Sequence, residues 1–180
     1  MTLSQEILVP ARDAVKVVHG HETSDGAGVR LVRYMASPAL DMLDPFLLFD
    51  VFRSDDPQDY IAGFPPHPHR GFETVTYLLA GRMKHRDSAG HEGIIKHGGV
   101  QWMTAGRGII HSEMPEQEDG LLYGFQLWVN LPSAKKMSPP RYQEIEPETI
   151  PEELTENGVR LRVIAGTSAG GVKGALQDIA

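Results

Sequence analysis

His67-Pro68-His69-Arg70-Gly71-Phe72-Glu73 and, further along, Gly106-Arg107-Gly108-Ile109-Ile110-His111-Ser112-Glu113 are the two stretches on which the fold turns. Each holds two candidate metal ligands at i and i+2. Side chains of an extended strand alternate between its faces with a period of two. His67 and His69 therefore project to one side of their strand, and His111 and Glu113 to one side of theirs. If the two strands are neighbours inside a barrel, three imidazoles and one carboxylate converge on one point, as a metal site requires. Glu73, four residues after His69, is a second acid in reach of the same pattern.

Outward from these stretches the chain reads as many short extended segments punctuated by Gly, Pro, Asp and Asn, which marks an all-β sandwich or barrel. Strands are expected over residues 15–18 and 28–34, with a turn at Ser24-Asp25-Gly26-Ala27 between them, and over the apolar run 46–52. Residues 53–60 form a polar loop. Residues 73–79, rich in β-branched side chains, make a further strand, and 82–87 is its antiparallel return. Residues 91–96 and 100–105 follow, separated by His97-Gly98-Gly99, then 121–131 and 141–145. Residues 132–140 leave room for one helical turn, and no helix of ten residues or more is expected. The prolines and acids of residues 147–153 look like a linker, and 158–166 alternates as a strand. Of the remaining histidines, His19 and His21 fall in a turn region, and His85, His91 and His97 flank hairpin turns and are expected to be solvated.

The 180 residues are enough for one domain with a core of its own. Hydrophobic residues make up 41% and charged residues 23%, an ordinary globular balance. With 17 basic against 24 acidic residues the net charge is −7, and no Lys/Arg-rich run is present, which argues against direct nucleic-acid binding. Without cysteine, disulfides and thiolate metal sites are excluded. A metal would sit on His and carboxylate ligands, which suit iron, manganese, nickel, copper or zinc. Met1 to Glu6 lacks the basic and apolar regions of a signal peptide, and no apolar run approaches the roughly 20 residues that cross a bilayer. The expectation is a cytoplasmic protein with no membrane contact.

The pattern His-x-His-x-x-x-Glu, a glycine-bounded strand and then Gly-x-x-His resembles the two motifs of the cupin superfamily of jelly-roll (double-stranded β-helix) barrels. Within it, residues 64–79 (FPPHPHRGFETVTYLL), 101–115 (QWMTAGRGIIHSEMP) and 126–131 (QLWVNL), with LDPF at 43–46, resemble the pirin family. The resemblance implies a mononuclear iron site, Fe(II), with His67, His69, His111 and Glu113 as ligands, Glu73 being left a structural role. It implies ring cleavage of flavonols such as quercetin by O2, with Glu113 as the general base. Apolar walls for a flat substrate are expected from Phe64, Met103 and Phe125, and a polar anchor from Gln126. The other reading implied is a non-enzymatic regulator whose metal tunes binding to a transcription factor or metabolic enzyme; sugar binding ranks below both, for want of polar anchors. Pirins carry a second cupin after the first. Residues 1–146 are accordingly expected to form the first cupin and 147–180 a linker with the opening of a second, and apolar surface left uncovered would favour self-association into a homo-oligomer.

Overall fold

The computed structural model describes residues 13–179; the Met1 to Glu6 stretch lies outside them. Thirteen strands follow one another: β1 (His21–Asp25), β2 (Val29–Met35), β3 (Phe46–Ser54), β4 (Phe64–His69), β5 (Phe72–Ala80), β6 (Met83–Asp87), β7 (Glu92–Ile95), β8 (Val100–Thr104), β9 (Ile109–Pro115), β10 (Leu122–Asn130), β11 (Arg141–Ile145), β12 (Glu152–Leu154) and β13 (Arg160–Arg162). Single 3-10 turns at Pro57–Asp59, Ser133–Lys135 and Pro147–Thr149 are the helical elements among the described residues, and no helix there is long and apolar enough to cross a membrane.

Two antiparallel sheets face each other as an all-β cupin jelly roll. The larger has the order β1-β2-β3-β10-β5-β8-β11 and the smaller β4-β9-β6-β7; β12 and β13 form a separate hairpin. The two ligand-bearing strands, β4 and β9, are hydrogen-bonded neighbours. β4 is the edge of the small sheet and carries Pro65, Pro66 and Pro68.

Alternation sorts the strands into faces. Leu31, Phe52, Leu78, Met83 and Leu122 close one end of the interior with Val29, Tyr60 and Ile95. Val75, Trp102 and Val129 instead pack with Ile150, Leu176 and Ile164, so the segment after residue 146 covers part of the large sheet. Burying such side chains contributes roughly 1.5–3 kcal/mol each.

Four local expectations change. The first strand is β1 rather than residues 15–18: His21 to Asp25 find partners from Arg33 to Val29, whereas Val15 and Val17 are exposed. The loop after β3 starts later, because Arg53 still pairs with Tyr123. The linker-like acids Glu152 and Glu153 belong to β12. The alternating run 158–166 is a strand only over Arg160–Arg162, since β12 offers it just three partners.

Candidate metal centre

His67 and His111 stand directly opposite on β4 and β9, and Phe64 opposite Glu113. Opposed residues of an antiparallel pair have Cβ atoms about 4.5–5.5 Å apart, which lets imidazoles meet tip to tip. His67 Nε2 is 3.0 Å from His69 Nε2 and 3.0 Å from His111 Nε2. Ligand atoms of the three rings all lie within 4.8 Å of one another. Two nitrogens bound at right angles to one ion with bonds of about 2.1 Å would be about 3.0 Å apart. The spacing fits a cation.

The hydrogen bonding fits as well. His67 Nδ1 is 2.8 Å from the Pro65 carbonyl, which can only accept, so the ring hydrogen is on Nδ1 and the Nε2 lone pair is turned to the cluster. Burial, and then the neighbouring imidazoles, push the pKa of His69 down to about 3. The same causes, burial first, push His111 down to about 3. Both rings are thus neutral in the fold, the form in which imidazole binds a metal.

Glu113, 2% exposed, lies to one side of the three rings, its Oε2 3.9 Å from His111 Nε2. The facing sheet holds it. Thr76 Oγ1 is 3.0 Å from Oε1, and Gln126 Nε2 is 3.1 Å from Oε2. Thr76 Oγ1 also stands 2.9 Å from Gln126 Oε1. Glu73 is elsewhere: Gly71, at φ 80°, breaks the chain between β4 and β5, and Glu73 takes the parity of Val75 and accepts a hydrogen bond from Thr104 Oγ1 at 2.6 Å.

A cavity of about 570 Å³ opens beside the imidazoles, walled by Leu48, Phe52, Phe64, Phe72 and Trp128, with Gln126 and Glu113 among its polar groups. Of the residues expected around a substrate, Phe64 and Gln126 line this cavity. Met103 and Phe125 do not line it. Met103 does point inward, but it is fully buried with Ala105 and Ile109 behind the cavity. Phe125 has the opposite parity to Gln126 and stacks on Phe49, centroids 5.8 Å apart, on the outer face of the large sheet. The aromatic rings in contact with the imidazoles are those of Phe72 and Trp128, each 5.1 Å from His69. Trp128 and Thr76 were missed; Trp128 is two residues from Gln126, and that period-two signal was enough to find it.

His85 also departs from expectation. It is 1% exposed rather than solvated, because Met83, His85 and Asp87 share the buried face of β6. Its ring lies flat on Tyr142, centroids 4.8 Å apart, against the Gln101 amide, with Nδ1 3.2 Å from Glu144 Oε1. A Cβ on Gly93 would collide with the Glu144 carboxylate, so that glycine makes the room in which the pair meets. His19, His21, His91 and His97 are exposed.

A family model described as Pirin matches residues 28–129. The chain is 57% identical over 166 residues to the Pirin-like protein of Caulobacter vibrioides, covering 92% of this chain and 60% of that one. It is 58% identical over 155 residues to a Pseudomonas aeruginosa protein provisionally named quercetin 2,3-dioxygenase, covering 86% and 54%. The crystal structure of quercetin 2,3-dioxygenase from Acinetobacter baumannii superposes with a TM-score of 0.79 at 42% identity, over 90% of this chain and 59% of that one. The chain therefore spans between 54% and 60% of the length of these two curated relatives.

Proposed function

The chain belongs to the pirin family, and from that premise we propose that it is a metal-dependent dioxygenase acting on flavonols, with His67, His69 and His111 as ligands and Glu113 as fourth ligand and general base. The observation that carries this reading is the convergence of three imidazole nitrogens, two of them on rings held neutral by burial, beside an aromatic-walled cavity. Fe(II) in this ligand set, or another divalent ion such as nickel, copper, manganese or zinc, would supply a Lewis acid for the substrate's oxygen atoms and, for iron, a redox partner for O2.

The protein's own share is binding, orientation and proton handling. Phe72 and Trp128 stack 4.6 Å apart beside His69 and, with Leu48 and Phe52, present a flat apolar surface that suits a fused aromatic ring and excludes water. Glu113 takes the proton of the flavonol hydroxyl. Thr76 can follow that change. With Glu113 ionised, the Thr76 hydroxyl donates to Oε1; with Glu113 protonated, the carboxyl donates to Oγ1 and the Thr76 hydrogen turns to Gln126 Oε1, 2.9 Å away. The carboxylate thus has a hydrogen-bond partner in both states, with no movement of the backbone.

Anaerobic loading with ferrous iron, followed by quercetin and air, tests the reading. Release of carbon monoxide with loss of flavonol absorbance is expected; absence of turnover at full iron occupancy would overturn it.

A further inference from the structure

Asp50 stands on the cavity wall one strand beyond Gln126: β3 and β10 set the two directly opposite, and β2 sets Arg33 opposite Asp50. Asp50 is 4% exposed. Arg33 grips it with Nε 2.8 Å from Oδ1 and Nη2 2.6 Å from Oδ2, and the same Nη2 reaches Asp25 Oδ2 at 2.7 Å. Asp25 and Asp50 face the cavity with Leu48, Phe52 and Phe64, and the guanidinium stands behind them. Two acids against one cation leave this wall with a charge of −1. Placing an ion pair among apolar side chains costs desolvation that an apolar pair of similar volume would avoid. The proton chemistry of Glu113 makes no use of it.

We propose that the Asp25–Arg33–Asp50 trio is a hydrogen-bond-accepting subsite for the hydroxylated ring of a bound polyphenol, so that the cavity selects aromatic ligands with free hydroxyls over those with blocked ones. The proposal rests on the flavonol reading for the position of the rest of the ligand. Arg33 engages three of the four carboxylate oxygens and the Gly26 N–H the fourth, Asp25 Oδ1, and each oxygen keeps a second lone pair. A phenolic hydroxyl meeting it makes a charge-assisted bond, among the stronger kinds. A methyl ether has no hydrogen to give and pushes a methyl group against a charged wall. Strands are spaced about 4.8 Å apart, so Asp50 sits about one strand spacing past the Gln126 that holds Glu113. A ligand whose oxygens face Glu113 would extend its outer ring to the trio.

The test is binding, not turnover. The protein is loaded with zinc, which has no redox chemistry, and titrated by calorimetry with quercetin and with the dimethyl ether of its catechol ring. Quercetin is expected to bind about tenfold more tightly, the worth of one hydrogen bond to a charged group. Asp50→Asn is expected to remove most of that preference, by weakening quercetin and relieving the ether's contact with a charged wall, and an unchanged zinc stoichiometry reports that the site is intact. Asp25→Asn, an isosteric change at the half-exposed end of β1, is expected to lower the preference severalfold and carries the test if Asp50→Asn fails to fold. Equal binding of the two ligands, or a preference that persists in the foldable variants, would overturn the subsite and leave the dioxygenase reading standing. No binding of either ligand would overturn both.

Discussion

Two buried histidine environments lie within one barrel and differ in how their nitrogens are used. At the mouth, His67 Nε2 lies 3.0 Å from the Nε2 atoms of both His69 and His111, and beyond the Pro65 carbonyl the three rings find little but one another. At the back, His85 is as deeply buried, yet its ring is covered by Tyr142 and its Nδ1 meets Gln101 and Glu144. Burial lowers the pKa of His85 just as it does those of His69 and His111. A depressed imidazole pKa therefore does not mark a ligand; lone pairs that converge without protein partners do.

That contrast is open to breakage at several strengths. The largest effect is expected from His111→Ala, which should weaken divalent metal binding by more than about 100-fold, the upper range for outer partners of a metal site. His85→Gln should leave the metal stoichiometry unchanged while lowering the thermal midpoint. Competition with a chromogenic chelator reads the first and calorimetry the second; metal loss in His85→Gln equal to that in His111→Ala would erase the distinction. Next, Glu113→Gln should cut flavonol turnover by roughly 10²–10⁴-fold, the usual worth of a general base, while the three imidazoles still retain the ion. Thr76→Val should lower turnover less, by about 10–100-fold, with a stability cost of about 1 kcal/mol, measured by urea denaturation.

Acid sharpens the comparison in another way. His69 and His111 titrate near pH 3 in the fold against about 6.5 in an unfolded chain. Between those values the unfolded state binds protons that the native state refuses. Their contribution to the stability of the metal-free protein is fully present above about pH 6.5 and is lost as pH falls from there toward 3. The urea midpoint should fall steadily over that window, and His85→Gln should keep most of the slope. The smallest effect belongs to Gly93→Ala. The new Cβ meets only the flexible end of Glu144, so a cost below about 1 kcal/mol is expected, with metal affinity unmoved.

Much of this was legible in the sequence because it follows from a period of two. The shared faces of His67 with His69 and of His111 with Glu113 come from alternation, whereas Glu73, in reach of the same pattern, is set apart by the break at Gly71. Alternation also parts residues that are neighbours in the chain. Phe125 beside Gln126 cannot share its face, and His85 between Met83 and Asp87 could not be solvated while they were buried. Met103 shows a different limit, since parity places a side chain inside the barrel but not at its mouth or its back. Nor could spacing in the chain set the ion pair of Arg33 with Asp50 against Gln126, because that row depends on which strands become neighbours.

The strand that carries two of the imidazoles has a further property. Three of its six residues are proline and have no amide hydrogen to offer, and its outer side is the free border of the small sheet. An approaching chain therefore finds almost no rungs there on which to build. Strand-to-strand aggregation, if heat or crowding provokes it, should begin at other borders such as Glu92–Ile95, leaving the histidine-bearing margin unrecruited.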